Sequence, residues 1–224
     1  MKKFLFLLTG ITLGATAAMQ LAYAQPFPFT QKPFTDVSAK SVNYEAIEYL
    51  RTNNVLRGYT DGTFRADTRI TRAEFVSLLT NPFFLNGQGQ NNCVKSKIGS
   101  GSTTVFYSDV HTNDWFADDV CTATVDTIIG GYPDGTFKPN HSITFAEAAK
   151  VSANVLALNV KDTASVSDPK WYTAYVLRLA DLHAIPTTIR RFDQVITRGQ
   201  MAEIVFRLKT ANMTKASAKY NTLR

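Results

Sequence analysis

The sequence has 224 residues, 45% of them hydrophobic and 19% charged, with a formal net charge of +6 and two cysteines. That is enough chain to bury a real core, in one compact domain or a short repeat array. The basic excess is mild and forms no stripe, which argues against nucleic acid and leaves an acidic polymer as the natural charged partner.

The chain opens with Lys2 and Lys3, an apolar run from Phe4 to about Ala18, and Ala22-Tyr23-Ala24 before Gln25. This is a signal-peptide pattern, so residues 1–24 are expected to be removed on export. The run is short for a spanning helix, which needs about 20 apolar residues. An uncleaved anchor is the rival reading. No second long apolar run follows, so no transmembrane segment is expected after cleavage. Residues 25–33 read as a linker.

The rest of the chain is read through its internal similarity. "GYTDGTFRADTRITRAEF", Gly58 to Phe75, returns as "GYPDGTFKPNHSITFAEA", Gly131 to Ala148. The same offset carries Asp36-Val37 onto Asp109-Val110 and Val55-Leu56 onto Ile128-Ile129. Repeat 1 spans 34–80 and repeat 2 spans 106–158. Between them, residues 81–105 are rich in Asn, Gln, Gly and Ser and read as a loop insertion. After a linker at 159–165, a degenerate repeat 3 covers 166–209. It keeps Trp171 where Trp115 stands and "ITRGQ" where "ITRAE" stands, but reads "PTTIRRFDQV" in place of the turn. Residues 210–224 are polar and basic and read as a frayed tail.

Each repeat has one local logic. Apolar spacing predicts a first helix near Ser41–Asn53, with Val42 and Leu50 on its buried face, and counterparts near Trp115–Thr127 and Trp171–Leu182. Gly58 and Gly131 sit where a left-handed helix terminator is wanted. Asp61-Gly62 and Asp134-Gly135 are tight-turn dipeptides, and Phe64 and Phe137 can plug the core. Thr71-x-x-Glu74, Thr144-x-x-Glu147 and Thr197-x-x-Gln200 open the second helices as capping boxes, each preceded by an Ile.

Export allows Cys93 and Cys121 to pair as a disulfide. Closing that loop would stabilise the fold by roughly 3–4 kcal/mol in the chain-entropy picture. Two isolated cysteines with no nearby His make a poor metal site. Asp61-Gly62 lacks the spaced oxygen ligands of a calcium loop, so neither metal nor cofactor is expected.

The starts "FTDV" and "YSDV", the turns "GYTDGTF" and "GYPDGTF", and the openings "ITRAE", "ITFAE" and "ITRGQ" resemble the S-layer homology domain. The resemblance implies an all-α fold of three helix–loop–helix repeats in a pseudo-threefold bundle, the first helices at its centre. It implies an exported, non-catalytic module that binds anionic, pyruvylated cell-wall polysaccharide and anchors at the cell surface, in the cell wall, S-layer or envelope. Its binding sites are then grooves between repeats. The Arg of the Thr-Arg-Ala-Glu motif would meet the sugar, and the Asp-Gly-Thr turn would add contacts.

Carried onto this chain, those positions are Arg72 and Arg198, with Phe145 in the equivalent place of repeat 2, and Gly62, Thr63, Gly135 and Thr136 in the turns. A guanidinium matches a carboxylate in bidentate geometry, and neighbouring helix N-termini could add N–H donors. Trp115 and Trp171 would stack on sugar or anchor the core. Asp36 and Asp109 would line a groove or cap the first helix. The bland reading of both arginines is a surface residue or a partner for a neighbouring acid.

Two other functions stand beside this one. A structural envelope protein would act through protein contacts, by the insertion or by the Phe-rich Pro26–Phe29. A wall hydrolase is the weaker alternative, because His111, His141 and His183 are scattered and the repeats consume the chain.

Overall fold

The computed structural model describes residues 32–85, 92–98, 101–160 and 166–224. The expected signal segment, Pro26–Phe29, most of the first linker and residues 161–165 of the second lie outside them. Among the described residues, no helix is long and apolar enough to cross a membrane.

The fold is all-α. Its helices are α1 (Tyr44–Thr52), α2 (Arg72–Leu79), α3 (Ala117–Val125), α4 (Phe145–Val155), α5 (Thr173–Asp181) and α6 (Arg198–Thr210). The loop expected at 81–105 is more structured than its composition suggested. It contains a π-helical turn at Val94–Ile98 and β1 (Thr104–Val105), which pairs antiparallel with β2 (Tyr107–His111). Cys93 and Cys121 are bonded, with Cα atoms 5.8 Å apart, and staple the insertion to α3.

The first helices are shorter than their apolar spacing predicts. Val42 precedes α1 and is 80% exposed, whereas Ala46, Ile47 and Leu50 are buried. The left-handed residues after the first helices are Asn54, Thr127 and His183, not Gly58 and Gly131. Those two glycines answer a different demand. A Cβ on Gly58 would lie 2.4 Å from the Phe34 ring, and one on Gly131 would lie 2.5 Å from the Tyr107 ring. Gly62 and Gly135 do take positive φ, +81° and +76°, as the turn requires. Phe64 and Phe137 are fully buried.

All three capping boxes form, at Thr71/Glu74, Thr144/Glu147 and Thr197/Gln200. The isoleucines before them close a ring. Ile70 N–H donates to the Ile196 carbonyl, Ile196 N–H to Ile143, and Ile143 N–H to Ile70. The next donors close a second cycle in the opposite sense. Arg72 and Ala73 N–H reach the carbonyls of His141 and Pro139. Phe145 and Ala146 reach Gln194 and Phe192, and Arg198 and Gly199 reach Thr68 and Ala66. Donors that a helix start leaves without intrahelical partners are thus satisfied by the loop of the neighbouring unit.

Helix packing repeats the order: α2 lies on α3, α4 on α5, and α6 on α1. Each first helix packs mainly on a second helix of another unit. Among the described residues, no two first helices are main packing partners, as the central bundle expected of them would need; the isoleucine ring links the three units.

The segment after α6 is not frayed. Ala211 turns it back at φ +50°. Ala218 N–H donates to the Ile185 carbonyl, and Arg224 both donates to Arg190 and accepts from Phe192. The Tyr220 ring lies 5.3 Å from Phe192, and Leu223 is buried.

Candidate functional site

The ring of neighbour contacts creates two equivalent grooves. The first, about 520 Å³, runs from Val55–Arg57 along Glu74, Ser77 and Leu78 of α2 to Trp115 and Asp119, and Arg198 enters from α6. The second, about 370 Å³, runs from Ile128–Pro133 along Glu147, Lys150 and Val151 of α4 to Trp171, and Arg72 enters from α2. Each groove is therefore a composite. Its loop and second helix come from one unit, its Trp from the following unit and its Arg from the preceding one.

Both arginines are buried clamps, at 6% exposure for Arg72 and 8% for Arg198. Arg72 Nε donates to the Phe137 carbonyl at 2.8 Å, and its Nη1 lies 3.2 Å from Glu147 Oε1. Arg198 Nε donates to the Phe64 carbonyl at 2.9 Å and its Nη2 to Arg57 at 3.1 Å, with Glu74 at 3.9 Å. Each guanidinium also stacks on rings, Arg72 on Tyr132 and Phe137, Arg198 on Tyr59 and Phe64. They are not the surface residues that the bland reading allowed, but each does lie beside an acid, as that reading also allowed. They are inside, and one edge of each is already engaged.

The glutamates join capping to the groove. Glu147 Oε2 closes the box on Thr144 while Oε1 accepts from the Tyr132 hydroxyl and faces Arg72. Burial alone would raise the Glu147 pKa. The Tyr132 hydroxyl, the Thr144 N–H and the Arg72 charge outweigh it and hold the carboxyl below its ordinary range. Tyr132 is pushed up to about 12, first by burial and then by its bond to Glu147. This glutamate stays ionised at neutral pH.

The tryptophans stand outside the core, Trp115 at 68% and Trp171 at 58% exposure. Each sits just before a first helix, edge-on to the next aromatic, Phe116 or Tyr172. Lys150 Nζ is 5.8 Å from the Trp171 ring. The rings form exposed ledges at the groove mouths, with one face available for stacking.

The other sequence candidates do different work. Asp36 accepts from Phe64 and Arg65 N–H, and Asp109 from Phe137 and Lys138 N–H, both carboxylate oxygens being used. These aspartates tie the start of a unit to its own turn and do not cap a helix. Thr63 and Thr136 hydroxyls donate to Asp61 and Asp134 at 2.6 Å and complete the turns. The Thr63 bonds and Arg65 draw the Asp61 pKa down to about 2. Gly62, Thr63, Gly135 and Thr136 are not among the lining residues of either groove. Nor are the N-terminal N–H groups of α2, α4 and α6 available to an anion, because neighbouring carbonyls take them.

Sequence reasoning missed Arg57, Lys150 and the second role of the glutamates. The signal for Glu74 and Glu147 was the capping box itself, since only one carboxylate oxygen is needed to close it.

Two units carry an aromatic start, a carboxylate-tied turn and a capped helix, and both match a known family. Residues 33–76 and 106–149 match the S-layer homology domain. The match does not extend to residues 166–209. Over 207 residues, 92% of the chain, it is 29% identical to the middle cell wall protein of Brevibacillus brevis, covering 18% of that protein. It is 37% identical over 112 residues, half the chain, to the surface layer protein of Brevibacillus choshinensis, covering 9% of it. A cellulosome-anchoring protein of Acetivibrio thermocellus is 31% identical over 127 residues, 57% of the chain and 25% of that protein. The chain thus spans a quarter or less of each of these relatives. The matched segments supply the loop of each groove and the first turn of its second helix, with Glu74 and Glu147.

Proposed function

We propose that this chain is a non-catalytic module of the cell envelope that holds to anionic cell-wall polysaccharide through the two composite grooves. The observation that carries this reading is their shared construction: a buried Arg, a capping-box Glu and an exposed Trp brought together from three units, twice. Such a set suits a sugar acid. The Trp face takes the apolar face of a pyranose ring, the Glu accepts its hydroxyls, and the cationic edge draws a ketal-linked pyruvyl carboxylate. The relatives named above, from cell wall, surface layer and cellulosome anchor, support the same location and role.

On this reading the third helix pair, α5 and α6, is a third and degenerate copy of the unit. The grooves are also unequal. Arg72 and Lys150 face one carboxylate in the second, whereas Arg57 and Arg198 face Glu74 and Asp119 in the first. The second groove is the stronger anion site, and its affinity falls more steeply with salt.

The test is co-sedimentation with purified cell walls, before and after removal of the non-peptidoglycan polymer. Binding is expected to be lost with the polymer. Equal binding to both preparations rules the polymer out as ligand.

A further inference from the structure

The cycle of units implies a third groove, and its position can be derived. Val55, Ile128 and Ala184 each donate an N–H back to a first helix, at Leu50, Ala123 and Leu179. Ala184–Pro186 therefore stand where Val55–Arg57 and Ile128–Gly130 stand. Counting from the capping threonines, Gln200 matches Glu74 and Glu147, and Glu203 matches Ser77 and Lys150. The residue entering from the preceding unit is Phe145, fully buried, in place of Arg72 or Arg198. Val42 holds the position of Trp115. The arginine, the capping-box carboxylate and the Trp are thus all absent from one and the same groove.

That groove is occupied by the chain itself. Ser217 forms a β-bridge with Pro186, and its hydroxyl donates to the Ile185 carbonyl at 3.0 Å. Ala218 N–H reaches the same carbonyl at 2.9 Å. Lys215 Nζ lies 3.1 Å from Glu203 Oε1 on α6 and 3.0 Å from Glu45 Oε2 on α1. Arg207 Nη1 donates to the Ala216 carbonyl at 2.9 Å. Further on, Arg224 pairs with Arg190 and Phe192, while Tyr220 packs on Phe192. Phe34 and Tyr107 also pack on a ring of their own units, Phe64 and Phe137.

We propose that Lys215–Ala218, within the docked segment 211–224, is the resident ligand of the third groove. It latches the third unit to the first, and leaves two grooves for polymer instead of three. The two-groove count rests on the polymer-binding reading above; the latch does not. A tether as short as Ala211–Thr214 holds the segment at an effective concentration of order millimolar or above, so a soluble sugar does not displace it. Lys215 supplies the cross-unit charge contact, and Tyr220 the ring contact within the third unit.

The test uses the full chain with a specific protease site inserted after Met213, in the exposed stretch between α6 and the docked residues. After cleavage under native conditions, the released segment is expected to co-elute with the body on size exclusion. In the Lys215→Ala/Tyr220→Ala double variant, at least tenfold more of it separates. Release from the uncut-like, folded body of the otherwise native sequence overturns the latch. If cleavage unfolds the body, amide exchange of the uncut chain decides: Ala218 and Arg224 are expected to be protected at least a hundredfold over a free peptide, and free exchange overturns the proposal. Titration with a synthetic sugar bearing ketal-linked pyruvate is expected to give two equivalents per uncut chain. Three equivalents overturn the occupied groove, whereas none defeats the polymer reading and leaves the latch to be judged by co-elution and exchange.

Discussion

Arg72 and Phe137, far apart in sequence, are joined across a unit boundary: the Arg72 Nε donates to the Phe137 carbonyl at 2.8 Å while its guanidinium covers the Phe137 ring. The residue that the family resemblance assigns to a ligand also holds two units together. Arg72→Ala is therefore expected to lower the unfolding free energy by about 2 kcal/mol, from a lost charge-assisted bond and an orphaned carbonyl. Denaturant titration measures this. Wall binding by the variant should be compared well below its unfolding midpoint. Wild-type stability in this variant would remove the clamp.

The exposed tryptophans predict the opposite pattern. Trp115→Ala and Trp171→Ala leave stability within about 0.5 kcal/mol, because neither ring is in the core. Each is expected to weaken wall binding roughly two- to tenfold, the range of one aromatic contact. A large drop in melting temperature with unchanged binding would mean that the rings pack and do not bind.

Reduction of the Cys93–Cys121 bond, which spans 28 residues, is expected to destabilise the fold by about 3–4 kcal/mol in the chain-entropy picture. Thermal melts with and without reductant give the value. Cys93→Ser should reproduce the reduced protein and be indifferent to reductant.

Acid should loosen the second groove first. The Glu147 carboxyl has a folded pKa below its unfolded one. Its contribution is complete above the ordinary glutamate value of about 4.3, and is lost as pH falls through the lowered folded value. Glu147→Gln removes this acid limb. Gln200, in the same position of α6, closes its box as an amide, so the variant should keep the helix. Melting temperature followed from about pH 7 to pH 3 should fall less in the variant. Identical profiles would place the acid sensitivity elsewhere.

What could be read from the sequence was whatever is local. A capping box needs residues three apart, and all three were legible; so were Gly62 and Gly135, whose turns demand positive φ. Gly58 and Gly131 were misread because their need is a ring contributed by Phe34 or Tyr107, more than twenty positions away. Gly199 is the same case: a Cβ there would meet the Asn43 amide at 2.2 Å, which explains a glycine where the other second helices have alanine. Arg72 and Arg198 were recognised, but their carbonyl partners are set by the order in which the units close. The polar composition of 211–224 gave no sign of docking, because its contacts are backbone bonds, the Ser217 hydroxyl, one shared lysine and only two large apolar side chains, Tyr220 and Leu223.

The isoleucine ring has a consequence for how such a chain can change. A linear stack of repeats can gain or lose a unit at its end and still cover its core. Here Ile70, Ile143 and Ile196 each donate to one of the others and accept from another, so the count is fixed by closure. Losing one helix pair would not shorten the protein; it would open the circle and strip the loop carbonyls that finish a neighbour's helix. A unit that has lost its groove chemistry is therefore kept, and the freedom left to it is to bind something else.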